Sequence, residues 1–186
     1  MINQGELCEI IASRLAHQSD TKDIHNRRLE NLKFAFQHVR PVKHVEYAFC
    51  VWAGTRRESV ESTVNEFCLR RDGMLLKPSP YKIVDPFFWK IPDTFGVFVF
   101  REQFFVLLAE LTGCTIFKKA PPILMEIYNK RCSVNDFCSM LTDEYAQALT
   151  SEEKESCFQA IFHDFHNAIQ YYYCSSIVDE VTSLHI

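Results

Sequence analysis

The residues of this chain best equipped for chemistry stand at His163-Asp164-x-His166. Two imidazoles and a carboxylate within four positions are ligand types that suit a divalent metal. Helical geometry opposes that use. At about 100° per residue His163 and His166 lie roughly 60° apart, while Asp164 falls on another side of the helix. Both histidines lie beyond the apolar stripe, on a polar face with Gln159 and Gln170. No Glu stands three positions before either of them, so the inward E-x-x-H pattern of di-iron bundles is missing. A further imidazole would come from His25, His38 or His44, far away in sequence. A solvated face is expected here, with no metal and no cofactor.

A His-Asp pair on a helix nevertheless resembles the core of metal-dependent phosphohydrolases, and an enzyme of that kind around His163-Asp164 is the third functional reading. Cysteine offers a different chemistry. The eight cysteines (8, 50, 68, 114, 132, 138, 157 and 174) form no C-x-x-C, so a zinc site is not expected. Cys132 alone has a cationic approach, Lys130-Arg131, and a helix cap just after it at Ser133. It lacks any protease-like context, and no catalytic residue is assigned. Apolar neighbours, as in Glu66-Phe67-Cys68-Leu69, predict reduced thiols and no disulfide. The opening Met1-Ile2-Asn3-Gln4-Gly5-Glu6 has no basic segment leading into an apolar one, and a reducing, cytoplasmic setting is expected. The five glycines are isolated, so no phosphate loop and no Gly-x-Ser-x-Gly elbow can be drawn.

Binding chemistry is concentrated near the N-terminus. Ile11-Ala12-x-x-Leu15-Ala16 resembles the first half of a helix-turn-helix. The following segment, 21–43, carries Asn26, Arg27, Arg28, Lys33, Arg40 and Lys43, side chains of the types that contact phosphates and base edges. The turn is more polar and longer than that motif requires, and the cations spread over more than half the helix circumference. A DNA-binding regulator built on residues 7–43 is therefore the second reading.

The elements that position these residues follow from hydrophobic period. Leu7, Ile10, Ile11 and Leu15 predict a helix over 3–17; Leu29, Leu32, Phe36 and Val39 predict another ending before Pro41. Val42–Ala53 reads equally well as a helix or a buried strand. Val60, Val64, Phe67 and Cys68 predict a helix closed by Asp72-Gly73. Residues 74–96 hold Pro78, Pro80, Pro86 and Pro92 among Tyr81, Phe87, Phe88 and Trp89, and predict an ordered, irregular connection. Short strands are expected at 96–100 and 114–117, an apolar helix through Phe104, Leu107, Leu108 and Leu111, and a helix from Pro121-Pro122 to about Arg131. Ser133-x-x-Asp136 and Thr150-x-x-Glu153 are capping boxes. The second opens a helix expected to run from 151 to 174 with Phe158, Ile161, Phe162, Phe165, Ile169 and Tyr172 on one face.

The chain has 186 residues, 47% apolar and 24% charged, which excludes a disordered or collagen-like polymer. A mainly α, compact multi-helix domain with at most a small β-sheet is expected. It divides into an N-terminal lobe (1–73), the connection (74–96) and an acidic C-terminal lobe (97–186), sharing one core. Residues 1–82 carry 13 Lys+Arg against 10 Asp+Glu, and residues 83–186 carry 7 against 14. With a net charge of −4, a wholly basic nucleic-acid surface is excluded. No apolar run reaches membrane-spanning length. The first functional expectation is a non-enzymatic regulatory or adaptor protein that binds another macromolecule. A protein partner is foremost, nucleic acid through 21–43 is the alternative, and a second copy of the chain (a homo-oligomer) belongs to the same class.

Overall fold

The computed structural model describes residues 3–74, 94–115, 120–129 and 131–183. These residues form ten α-helices and no strand. They are α1 (Gln4–Leu15), α2 (Lys22–Val39), α3 (His44–Thr55), α4 (Glu61–Arg71), α5 (Arg101–Thr112), α6 (Ala120–Tyr128), α7 (Val134–Met140), α8 (Asp143–Ala148), α9 (Ser151–Asn167) and α10 (Tyr171–Ser183). The protein is therefore all-helical over its described residues, and none of those helices is long and apolar enough to cross a membrane. The expected Pro- and aromatic-rich connection at 74–96 lies, for 75–93, outside the described residues.

By their contacts the described residues separate into two units. One comprises 3–74, 94–97 and 169–183, and so joins α1–α4 to α10. The other comprises 98–115, 120–129 and 131–168, and holds α5–α9.

In the first unit α3 is the central element, with α2 and α10 packed along it. Every residue from Ala48 to Gly54 is buried. A helix apolar on nearly all sides is what a core position demands. The same composition made Val42–Ala53 look like a strand, and burial rather than β-pairing is the reason for it. Phe49 stacks on Phe67 of α4 with ring centroids 4.1 Å apart. Gly54 lets α3 approach its neighbours closely: a Cβ there would stand 2.7 Å from Leu32 and 2.9 Å from Leu15. Two polar side chains of α2 finish the end of α3. Buried Arg28 donates from Nε to the Gly54 carbonyl, and Asn31 donates to the carbonyls of Arg56 and Glu58. The strand expected at 96–100 is replaced by a turn at its start. Thr94 donates its hydroxyl to the Val97 carbonyl, and Phe95 and Gly96 both take positive φ.

In the second unit Phe104, Leu107, Leu108 and Leu111 of α5 pack with Leu124, Ile127, Phe137, Phe158, Ile161 and Phe165. Gln103, fully buried, accepts through Oε1 from the amides of Val99 and Phe100 and so closes the start of α5. These bonds hold Val99 and Phe100 in an extended run that forms no strand. No strand occurs at Cys114 or Thr115, and the rest of the expected 114–117 strand lies outside the described residues. Both predicted capping boxes are formed. Asp136 and Glu153 accept from the amides of Ser133 and Thr150, whose hydroxyls accept in return.

The expected single helix over 151–174 is corrected: α9 stops at Asn167 and the chain leaves helical conformation at Ala168 (φ −76°, ψ 148°). The stripe that looked continuous is two stripes. Phe158, Ile161 and Phe165 are buried in the second unit, while Cys174, Ile177, Val178 and Val181 are buried on α10 in the first. Tyr172, expected on the buried face, is 77% exposed. Arg101 holds the break by donating to the Ala168 carbonyl (3.1 Å) and lying over the Phe165 ring.

Candidate functional site

The first unit carries a cleft of about 150 Å³ where four helices converge. Leu7 and Ile11 come from α1, Phe36 from α2, Tyr47 and Val51 from α3, and Val178, Val181 and Thr182 from α10. Local sequence explains each contribution. Leu7 and Ile11 are four apart, as are Tyr47 and Val51, so each pair shares a helix face. The Phe36 and Tyr47 rings stand 6.1 Å apart at 58°, a tilted pair that walls one side. Thr182, the most polar lining residue besides Tyr47, donates its hydroxyl back to the Val178 carbonyl of its own helix (2.8 Å). The cleft therefore meets a visitor with hydrocarbon and ring surface. Its size is decisive. A drug-sized ligand requires roughly 300–1,000 Å³, whereas an apolar space near 150 Å³ accepts one benzene ring.

The basic segment is arranged differently from its sequence. Asn26, Lys33, Arg40 and Lys43 are exposed. Arg27 is exposed and pairs with Glu30 one turn on (2.9 Å). Arg28 is buried, and its guanidinium donates to Asp20 (2.9 Å) as well as to Gly54. Asp20 also accepts from the His17 amide, and these bonds hold its carboxyl below the usual carboxylate range. Arg40 closes α2 in left-handed conformation (φ 48°), and Lys43 stands just before α3. Six residues separate α1 from α2, longer than the three- or four-residue turn typical of a helix-turn-helix.

His163 and His166 are exposed on α9, and Asp164 is half-buried. Among the described residues no group of three or more His, Cys, Asp or Glu side chains is placed to hold a metal ion. The eight cysteines are free thiols. Burial pushes the Cys8 thiol up to about 11 and the Cys157 thiol to about 12. Cys132 is raised by burial first and by the carboxylates of Asp136 and Glu126 next, the direction opposite to that of an activated thiol.

One polar constellation escaped the sequence entirely. His44, at the start of α3, bridges two side chains of α10: Nδ1 lies 3.0 Å from the Tyr171 hydroxyl and Nε2 lies 3.0 Å from Asp179. The separations of 127 and 135 residues leave no local signal, because only the packing of α10 along α3 brings the three together. The cleft was half legible: Leu7, Ile11 and Phe36 lie on or beside predicted stripes, while Val178 and Val181 belong to a helix the sequence did not disclose.

Comparisons with protein-family models, with curated proteins and with solved structures return no match.

Proposed function

We propose that this chain is a non-catalytic adaptor that recognises a protein partner by seating one aromatic side chain in the cleft between α1, α2, α3 and α10. The single observation that carries the reading is the size and chemistry of that cleft, which match one phenyl ring and exceed what a polar or phosphorylated group would favour. Burying such a ring contributes about 1.5–3 kcal/mol, the scale of an interface anchor, with the remaining affinity coming from the rim around it.

The experiment uses N-acetyl-phenylalaninamide as the probe and methyl resonances as the readout. Millimolar probe shifts the methyls of Ile11, Val51, Val178 and Val181 in the wild type. It leaves them unmoved in Thr182→Phe, where the new ring occupies the cleft from its exposed edge. Methyls that ignore the probe in the wild type overturn the reading. In a pull-down, loss of the partner with Thr182→Phe but not with Arg27→Ala/Lys33→Ala supports it. The opposite pattern, abolished by nuclease, transfers the function to nucleic acid.

A further inference from the structure

We propose that Tyr171 is a base-activated hydroxyl, a covalent acceptor site for the acyl group of an activated carboxylic ester, with His44 as its base and Asp179 as the group that positions His44. The proposal goes beyond the adaptor reading and does not depend on the cleft. Its first support is geometry. A nucleophile within hydrogen-bond reach of an imidazole, whose other nitrogen meets a carboxylate, is the arrangement that activates hydroxyls in unrelated folds. Here both links measure 3.0 Å.

The carboxylate also decides the tautomer. Asp179 only accepts, so Nε2 carries the proton it donates, and Nδ1 of the neutral ring is left to accept from the Tyr171 hydroxyl. That is the direction base catalysis requires. The His44 and Tyr171 rings are held edge to face with centroids 6.3 Å apart, so the hydroxyl is presented to Nδ1 and not stacked away from it.

The second support is the surface beside the relay. The two most exposed large apolar side chains among the described residues are Val42 (87%) and Tyr172 (77%). Val42 stands two positions before His44 and supplies exposed apolar surface for the hydrocarbon part of an ester, while Tyr172, one position from Tyr171, is a second exposed tyrosine with no part in the relay. The His44 side chain is 43% exposed and Tyr171 is half-buried, which places the pair at the surface of the first unit.

The step balances without a redox partner. The Tyr171 oxygen attacks the ester carbonyl carbon, a new aryl ester bond forms, and the bond to the departing oxygen breaks. The phenolic proton passes to His44 Nδ1 and then to the departing oxygen.

The test treats the full chain with p-nitrophenyl acetate and measures acetylation of Tyr171 and Tyr172 separately by peptide mass spectrometry. Tyr172 is the internal control: the same residue type, adjacent and more exposed. General-base help is worth about 10²–10⁴-fold in a finished active site, and at least about tenfold is expected at this open one. Tyr171 should therefore react at least about tenfold faster than Tyr172. In His44→Gln its rate should fall to that of Tyr172, and in Asp179→Asn it should fall part of the way. An unchanged circular-dichroism spectrum and denaturant midpoint show that each variant keeps its fold. A hydrogen-bonded clasp without base chemistry gives the opposite sign, because removing His44 would free Tyr171 and raise its labelling. That rise, or a Tyr171 no faster than Tyr172 in the wild type, overturns the proposal.

Discussion

Arg27 and Arg28 are neighbours of the same type, yet one is a surface cation and the other a structural part. The difference lies in Asp20 and the end of α3: Arg28 satisfies a carboxylate and the Gly54 carbonyl from a position with only 5% exposure. Removing one partner of a buried pair leaves the other charge unpaired, which costs more than the pair contributes. Asp20→Asn is therefore expected to lower the denaturant midpoint near neutral pH. The pH dependence has a definite sign. Because Asp20 titrates below its unfolded value, its contribution is fully present above about pH 4 and is lost as pH falls through the lower folded value. The gap between wild type and Asp20→Asn should stay constant from about pH 7 to pH 5 and close on further acidification. Denaturant unfolding of both proteins across that range checks it, and a gap that persists unchanged at low pH removes the carboxylate from the account. At the same scale, Arg27→Ala should change stability by no more than about 0.5 kcal/mol, as exposed i,i+3 pairs do.

At the scale of elements, Gly54 and Arg101 each set a packing relation that helix propensity alone would not. Alanine is a better helix former than glycine by about 1 kcal/mol. A methyl at position 54 would nonetheless fall under 3 Å from Leu15 and from Leu32, and overpacking costs about 1–3 kcal/mol. Gly54→Ala should lower thermal stability, and an increase would show that both leucines move aside freely. Arg101→Ala should cost about 1–2 kcal/mol, since a charged donor leaves the Ala168 carbonyl and the Phe165 ring loses its cation. On α9 itself, Phe165→Ala should cost about 3–5 kcal/mol, and half-buried Phe162→Ala about half of that or less. Calorimetry on the three variants separates these values. The helices were legible where a stripe or a capping box marked them: Thr150 with Glu153, Ser133 with Asp136, and the stripe of α2 before Pro41. The break at Ala168 was not legible, because neither Gly nor Pro marks it and the apolar period carries across it. Nothing local records that Phe165 and Cys174 enter different cores. The relay of His44, Tyr171 and Asp179 was hidden for the same reason, since α10 itself was read as the tail of another helix.

Across the whole molecule the cysteines sample both cores, and their environments rank their reactivity. Cys8, Cys50 and Cys174 are fully buried in the first unit; Cys132 and Cys157 are buried in the second. Cys68, Cys114 and Cys138 are half-buried. Alkylation requires a thiolate that the reagent can reach, and burial opposes both requirements at once. At Cys50 desolvation raises the thiol well above its ordinary value, and at Cys68 it raises it while Arg71 offsets part of the effect. Native protein treated with iodoacetamide should therefore lose Cys68, Cys114 and Cys138 first, with the five buried thiols following only as the protein opens. Because one of the early three lies in the first unit and two in the second, the order tests both cores in one experiment. Mass spectrometry of the alkylated chain at successive times reads it directly. Early labelling of Cys8, Cys50 or Cys174 would mean that the packing around α3 is looser than its buried run from Ala48 to Gly54 implies. Early labelling of Cys157 would say the same of the contact between α9 and the aromatic cluster it faces.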